Sequence, residues 1–367
     1  MKDKYFTLPE YPLQSDIWDY LCKSGKPIAV YGMGNGADKL FERLARYGVA
    51  VAEVFASDGF VRGHSFRGYK VKTLSEVEEV LGDDFIILVS FASGRSEVID
   101  LVRSINERHE LYIPDMPVAG ETYFDRDFYN SNYAAIVSAY ESLCDEASKN
   151  TFASVINYKL SGNMKTLFAS VCDTDGIYSL LPENIETAID AGAYNGDTCR
   201  ELMRYRSGVR KIYAVEPDAR NYKKLTKFIA NDGLEGCIVA INAAVWSENS
   251  AGVFSGSGNR NSSVDSTVSY ENRKEEVKLI ALDTVTDEKP DYIKYDVEGA
   301  EQEALFGTSH LIEKYSPALL VSLYHRSADI FTVTNYIKET YPQYSLYIRR
   351  TPCFPAWEIA LIAVLEK

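Results

Sequence analysis

The chain has 367 residues, of which 46% are hydrophobic and 25% are charged, a composition typical of a globular protein with two compact domains. Its net charge is −14 and no run of Lys or Arg exceeds two residues, so a basic face that follows the phosphates of nucleic acid is not expected. No apolar run reaches the ~20 residues of a membrane span, so no membrane span is expected. The first residues lack the apolar core of a secretory signal, which predicts a cytoplasmic protein. Six scattered cysteines form no C-x-x-C pair, which predicts reduced thiols.

Residues 1–120 are predicted to form a small Rossmann-like α/β domain. A short apolar strand, Ile28–Tyr31, is followed by Gly32-Met33-Gly34-Asn35-Gly36-Ala37 and then by an amphipathic helix. Further strands are expected at 49–55, 85–89 and 111–113. The Gly-x-Gly-x-x-Ala turn, with Asp58 beyond the second strand, fits a possible second nucleotide site formed by Gly32, Gly34 and Asp58. A turn that serves only as scaffold is the alternative.

Residues 121–181 are predicted to form a helical connector. The segments 128–144 and 145–160 carry apolar residues three and four positions apart, which is typical of helices. We expect this connector to contribute part of the wall over the active site.

Residues 182–367 are predicted to form a second, larger α/β unit with a Rossmann-like sheet that is mostly parallel. An antiparallel edge is expected from the closing segments 344–349 and 357–364. The parallel strands are expected at 187–190, 211–216, 237–241, 291–296 and 318–323. Residues 247–275 are rich in Ser, Asn and Gly, and a polar stretch of this length predicts either a mobile segment or a functional lid, centred on 255–263.

Two strand ends in this unit indicate a cofactor site. The first strand ends in Asp190-x-Gly192-x-x-x-Gly196, and the second ends in Glu216-Pro217. Glycine lets the backbone approach a ligand closely, and a carboxylate at a strand end can accept both hydroxyl hydrogens of a ribose. The pattern therefore favours an adenosine-type cofactor, with a turn that uses glycine only for its geometry as the alternative. Asn195 fits this site and also fits a helix-capping role.

Three carboxylates, Asp296, Glu298 and Glu301, lie within six residues at the end of the fourth strand. Crowded like charges raise one pKa and can create a general base, or they can hold a divalent cation. His325 follows the fifth strand, and a neutral imidazole there could also serve as the base, unless it is a solvent-facing loop residue. A carboxylate that pointed into the core and paired with Lys294 would contradict a catalytic role.

The segment Ile293-Lys294-Tyr295-Asp296-Val297-Glu298-Gly299-Ala300-Glu301 resembles the I-K-x-D-x-E-G-x-E signature of FkbM-type methyltransferases. The resemblance covers roughly residues 145–364. It extends to the Asp190 turn, Glu216-Pro217, the segment 243–245 and the segment 281–283. The chain departs from the family in the fifth strand, where a Glu is common and this chain has Ser322-Leu323-Tyr324-His325.

This resemblance implies an S-adenosylmethionine-dependent O-methyltransferase that acts on a hydroxyl of a sugar, a glycoconjugate or a related small molecule. For this reaction the candidate catalytic residues are Asp296 and Glu298, from the acidic segment, and His325, from its position after the fifth strand. The candidate contacts to S-adenosylmethionine are Asp190, Gly192, Asn195, Gly196, Glu216, Pro217, Ala243 and Asp296, with a polar group near 242–245 beside the adenine. The N-terminal unit resembles the small nucleotide-binding domain of many bacterial sugar-modifying enzymes.

Two other functions remain open at this point. The chain could be a non-catalytic module that senses a nucleotide or nucleotide-sugar, or an NAD-dependent sugar-modifying enzyme that works through its N-terminal unit. The intact acidic segment favours the methyltransferase, because a sensor needs no carboxylates beside the transferred methyl group.

Overall fold

The computed structural model describes residues 6–61, 63–255, 263–264 and 274–366. Its N-terminal part begins with a helix and then alternates strands and helices: α1 (Ile17–Ser24), β1 (Ile28–Tyr31), α2 (Asn35–Arg46), β2 (Glu53–Phe55), α3 (Asp58–Val61), β3 (Ser65–Phe66), β4 (Tyr69–Lys70), α4 (Leu74–Leu81), β5 (Ile86–Val89), α5 (Ser96–Asn106) and β6 (Glu110–Tyr112). Four of these strands form a parallel sheet in the order β2–β1–β5–β6. Every residue of β1 and β5 is buried, because helices cover both faces of the sheet centre.

Four helices follow: α6 (Arg126–Glu141), α7 (Glu146–Ser161), α8 (Met164–Leu167) and α9 (Thr174–Tyr178). Asp125 and Asp145 cap the two long helices by accepting hydrogen bonds from the backbone N–H groups of Phe128 and Ser148. The Ser148 hydroxyl in turn accepts a hydrogen bond from the backbone of Ile348 in the C-terminal sheet. The helices therefore pack against that sheet.

The C-terminal part contains β7 (Thr187–Ala191), α10 (Asp197–Tyr205), β8 (Lys211–Val215), α11 (Ala219–Asn231), β9 (Ile238–Ile241), β10 (Ala244–Val245), β11 (Ser250–Ser255), β12 (Ser263–Val264), β13 (Lys274–Ile280), a 3-10 helix (Leu282–Thr284), β14 (Tyr292–Tyr295), α12 (Glu301–Phe306), α13 (Ser309–Tyr315), β15 (Ala318–Ser322), α14 (Asp329–Thr340), β16 (Tyr344–Arg350) and β17 (Ile359–Leu365). Seven strands form one sheet in the order β16–β17–β15–β14–β7–β8–β9. The predicted α/β class and mostly parallel sheet are confirmed. The antiparallel strand is β17, one position in from the edge, because β16 pairs along its outer side.

A second, smaller sheet has the order β10–β13–β11–β12. Strand β11 pairs antiparallel with β13, so both ends of the polar stretch 247–275 are strands rather than loop. The sequence did not predict these strands, because Ser and Gly dominate the stretch and mask its weak strand propensity. The greater part of the expected lid, 256–262, lies outside the described residues.

One hydrophobic core joins the different parts of the chain. A single cluster of buried side chains includes Tyr31 from β1, Phe152 from α7 and Ile293 from β14. Within the described ranges, none of the helices is both long enough and apolar enough to cross a membrane.

Candidate active site

A cavity lies at the carboxyl ends of β7, β8 and β14. The strand order reverses between β7 and β14, and open parallel sheets form ligand-binding crevices at such points. Seven of the predicted site residues line the cavity: Gly192, Glu216, Pro217, Ala243, Asp296, Glu298 and His325. The other three, Asp190, Asn195 and Gly196, do not line it.

The turn after β7 brings two strand ends into close contact at Gly192. This residue has φ +87°, and a Cβ added there would lie 1.9 Å from the backbone oxygen of Asp296. Only glycine fits this position, because the neighbour is rigid backbone rather than a movable side chain. Gly192 therefore sets the spacing between the two strands whose ends form the cavity.

The turn after β7 is stabilised by three residues that do not line the cavity: Asp190, Asn195 and Gly196. The buried Asp190 carboxylate lies 3.2 Å from the Lys294 ammonium and accepts a hydrogen bond from the Thr198 hydroxyl. The Asn195 side chain accepts a hydrogen bond from the backbone N–H of Asp197, as a residue at the start of a helix does. A Cβ at Gly196 would lie 2.3 Å from the Phe228 ring, so close packing of α10 against α11 requires this glycine.

Glu216 follows directly after β8 and is only 6% exposed. Its carboxylate accepts hydrogen bonds from the backbone N–H groups of Tyr194 (2.9 Å) and Asp218 (2.8 Å), one on each oxygen. Burial raises the pKa of Glu216 to about 7, against the opposing effect of these two bonds. Each oxygen keeps a free lone pair, so the carboxylate is held in a fixed orientation and can still accept hydrogen bonds from a ligand.

The expected polar group beside the adenine is not found. The Asn242 side chain donates hydrogen bonds to the backbone oxygens of Glu216 and Pro217 instead. The cavity wall here consists of the small apolar residues Ala243, Ala244 and Val245. An apolar wall fits a flat heterocyclic ring.

Asp296 ends β14 and lines the cavity. Its Oδ1 accepts hydrogen bonds from the hydroxyls of Ser322 and Tyr324, each at 3.0 Å. Its Oδ2 lies 3.5 Å from the Lys294 ammonium, so the contact with Lys294 exists, but the carboxylate faces the cavity and not the core. Burial favours the neutral acid, but Lys294, His325 and the two hydroxyls outweigh it and lower the pKa of Asp296 below its usual value. Asp296 is therefore a stable anion and a weak base.

His325 is buried among three carboxylates. Its Nδ1 lies 2.8 Å from Glu301, and its Nε2 lies 3.5 Å from Asp296 and 3.6 Å from Glu298. Burial alone would lower the pKa of His325, but the carboxylates outweigh it, Glu301 most of all, and raise the pKa to about 10. The ring is thus an imidazolium at neutral pH. The expectation of a neutral imidazole base is wrong, because the surrounding charges keep the proton on the ring.

Glu298 has the opposite electrostatic character. It lines the cavity in a left-handed backbone conformation, with φ +55°. Burial, reinforced by the negative charges of Asp296, Glu301 and Glu216, outweighs the attraction of His325 and raises the pKa of Glu298 to about 8. A carboxylate with this pKa is a much stronger base than an ordinary Glu.

The sequence pointed to Glu301 only as one of three crowded carboxylates. Its side chain is 1% exposed, and its Oε1 accepts hydrogen bonds from Nδ1 of His325 and from the backbone N–H of Val297, so Glu301 positions His325. Other residues of the site were missed from the sequence. Val118, Trp357 and Glu358 also line the cavity and come from distant parts of the chain. None of the lining residues belongs to the connector 121–181, so the wall expected from those helices is wrong.

No group of three or more His, Cys, Asp or Glu residues in the described parts of the chain is arranged to hold a metal ion. The divalent cation that the acidic segment suggested therefore has no support. The carboxylates of that segment are instead directed at the cationic groups of Lys294 and His325.

The N-terminal sheet has a second cavity where β1 and β5 end, again at a reversal of strand order. Gly32, Gly34 and Asp58 do not line it, and Asp58 is exposed at the start of α3. The lining comes instead from Met33, Asn35 and Gly36 and from the segment after β5. A role for the three predicted residues in binding a nucleotide stays a prediction.

The strand order of the C-terminal sheet is that of the Rossmann-like methyltransferase fold. Residues 190–342 match the Methyltransferase FkbM domain, and the protein is an S-adenosylmethionine-dependent methyltransferase. The matched domain implies S-adenosylmethionine as the cofactor and favours methyl transfer over the sensing module and the NAD-dependent enzyme considered from the sequence.

Two solved structures are similar to this chain. Methyltransferase FkbM from Methylobacillus flagellatus KT is similar over 98% of this chain and 94% of its own, with a TM-score of 0.69 and 18% identity. An rRNA methylase from Streptococcus thermophilus matches over 52% of this chain and 93% of its own, with a TM-score of 0.33 and 14% identity. No curated protein sequence matches the chain.

Proposed function

We propose that this protein is an O-methyltransferase that transfers a methyl group to a hydroxyl of a sugar, a glycoconjugate or a related small molecule. The observation that carries the proposal is Glu298, a cavity-lining carboxylate whose pKa is raised to about 8. A hydroxyl must lose its proton as it is methylated, and a base with a pKa near the working pH is best suited to accept that proton.

The residues of the cavity fit the cofactor. Gly192 and Tyr194 form the turn that would pass under it, Glu216 would accept the ribose hydroxyls, and the wall at 243–245 would cover the adenine. S-adenosylmethionine supplies an activated methyl group, so the protein has to supply alignment and a base.

Glu298 takes up the hydroxyl proton in this proposal, while Asp296 and His325 keep fixed charges on either side of it. Asp296 is held by Ser322 and Tyr324, and its negative charge favours the positive methyl donor. His325 does not accept a proton. Its positive charge compensates the carboxylates around it, and Glu301 fixes its orientation through a bond of 2.8 Å.

The proposal is tested with S-adenosylmethionine that carries a tritiated methyl group and a panel of free hexoses, uronic acids and the alkyl and aryl glycosides of both. We expect label in a product that resists mild base, as an ether does and an ester does not. Glu298→Gln and Asp296→Asn should each lower the rate by ~10²-fold or more. Glu313→Gln, at an exposed position of α13, is the matched control and should leave the rate unchanged. Label in an ester or on nitrogen would contradict the proposal.

A further inference from the structure

The second cavity adjoins the cavity at the ends of β7, β8 and β14, which is the proposed site of the methyl donor and is called the donor cavity. Val118 and Trp357 line both of them, so the same two side chains form walls on either side. The second cavity opens at the carboxyl ends of β1 and β5, and the donor cavity opens at those of β7, β8 and β14. The carboxyl ends of the parallel strands of both sheets thus meet at one boundary.

Hydrogen bonds fix the residues at this boundary. Ser93, just after β5, exchanges two backbone hydrogen bonds with Phe354, at 2.7 and 3.0 Å. The Lys39 ammonium on α2 donates to the backbone oxygens of Pro117 (2.7 Å) and Val118 (3.3 Å). The loop between β16 and β17 is therefore attached to the segment after β5, and the segment after β6 is attached to α2.

The two cavities differ in charge. The donor cavity is lined by several carboxylates, among them Glu216, Asp296 and Glu298. Lys39 is the sole charged residue among those that line the second cavity, all of which the structure describes. No carboxylate in the described parts of the chain forms an ion pair with Lys39. Two of its three ammonium N–H groups donate to backbone oxygens, so the third can donate to a ligand.

Most of the side chains that line the rest of the second cavity are apolar. Its lining includes Phe91, Met116, Leu40 and Trp357, with polar atoms contributed by Asn35 and Ser90. Phe91 is held by edge-to-face contacts with Tyr31 (4.9 Å between ring centroids) and Phe354 (5.6 Å). A cavity of this kind binds a molecule by its apolar body and orients it through few polar contacts.

We infer that the second cavity is the acceptor subsite, and that the acceptor is an amphipathic anion. Its apolar or aromatic body lies against Phe91 and Met116, its negative group pairs with Lys39, and its hydroxyl extends past Val118 and Trp357 towards Glu298. The carboxylates of the donor cavity repel a negative group, so the charge also determines which end of the acceptor enters which cavity. This inference rests on the proposed function, because it assigns the substrate class of that reaction.

Two fluorescent probes with the same aromatic body test the inference. 8-Anilino-1-naphthalenesulfonate carries a negative sulfonate, and N-phenyl-1-naphthylamine is neutral. Each is titrated into the full chain in the presence of saturating S-adenosylhomocysteine. We expect one site per chain and binding of the anion on the order of tenfold tighter than that of the neutral probe, as a charge-assisted contact gives. Equal affinities would overturn the inference without any variant.

Variants locate the probe. Lys39→Gln should remove the preference for the anion, and Phe91→Ala should weaken both probes. Arg46→Gln removes an exposed charge from the end of the same helix and should change neither. An anion preference that persists in Lys39→Gln would overturn the inference. The inference would also be overturned if saturation with the probe weakened the binding of S-adenosylhomocysteine by tenfold or more, because the probe would then occupy the donor cavity.

The link to the acceptor is tested in the methyl-transfer assay. The anionic probe should inhibit methyl transfer competitively with the acceptor, which is the compound whose hydroxyl is methylated. A bound probe that leaves the rate of methyl transfer unchanged would overturn the inference. A chain that does not bind S-adenosylhomocysteine would instead contradict the proposed function, so the two failures can be told apart.

Discussion

The pKa values of Glu298 and His325 are displaced in ways that assign them different tasks. Their side chains lie 3.6 Å apart. The pKa of His325 is raised to about 10, mainly through Glu301, and that of Glu298 is raised to about 8 by burial and neighbouring carboxylates. At neutral pH the imidazole therefore holds its proton, and the carboxyl group lies close to its own titration point.

A pH profile tests this assignment. The value of kcat/KM for the acceptor, measured at saturating S-adenosylmethionine, should rise by about tenfold per pH unit up to a pH near 8 and then level off, because only ionised Glu298 accepts a proton. Glu298→Gln should be slow and should lack this rise. His310→Gln, at an exposed position, should retain it. A rate that falls between pH 6 and 8 would contradict the role of Glu298.

The sequence identified these residues but not their ionisation states. Asp296, Glu298 and His325 stood out because carboxylates and a histidine follow adjacent strands. The imidazolium of His325 depends on Glu301, whose carboxylate reaches the ring only after the turn at 297–300 has folded back. The pKa of such a group depends on three-dimensional neighbours, which spacing along the chain does not reveal.

At the scale of elements, β7 and β14 are joined by a buried ion pair between Asp190 and Lys294. The two residues are register partners, and their side chains are 5% and 10% exposed. Burial acts against the charge on Lys294, but Asp190 and Asp296 outweigh it and raise the pKa of its ammonium. The pair thus connects the two strands whose ends form the donor cavity.

Removing one partner of this ion pair should be costly. Lys294→Met leaves a buried carboxylate without its cation and should lower the free energy of unfolding by about 3–5 kcal/mol. The double variant Lys294→Met/Asp190→Asn should recover part of that loss, because position 190 then carries no unpaired buried charge. Urea unfolding measures both. A double variant no more stable than Lys294→Met would show that the ion pair is not the cause.

The parallel strands were predictable because each is a short apolar run followed by a polar turn. Strand β11 was not, because its Ser250 and Gly252 resemble loop residues and its pairing with β13 crosses a long polar segment. A Gly192 substitution would not test cofactor binding by itself. Any side chain there meets the backbone of Asp296, so it would disturb the fold as well as a ligand.

At the scale of the whole molecule, the two sheets share one core. Phe354 is fully buried in the loop between β16 and β17, packs against Phe91 and exchanges backbone hydrogen bonds with Ser93. Residues so far apart in the sequence leave no local signal, so the walls formed by Val118 and Trp357 were not predictable. The domain boundaries at 120 and 181 remain predictions. The largest cluster of buried side chains contains residues from both sides of each boundary.

Shared packing predicts cooperative unfolding. Phe354→Ala should lower the free energy of unfolding by about 3–5 kcal/mol and should leave a single thermal transition at a lower temperature. Calorimetry checks this, with Phe306→Ala as a control in which a half-exposed ring is removed. Two separate transitions, only one of them shifted, would mean that the two sheets unfold independently.

The central claim is that the cavity at the ends of β7, β8 and β14 binds S-adenosylmethionine, with Glu216 as a principal contact. Calorimetric titration of S-adenosylhomocysteine into the wild-type protein, Glu216→Gln and the exposed control Glu235→Gln tests it most directly. We expect one site in the wild type and in the control, and affinity weaker by about 1.5–3 kcal/mol in Glu216→Gln, as for loss of a charged hydrogen-bond acceptor. The same affinity in wild type and Glu216→Gln, with the variant folded, would contradict the account.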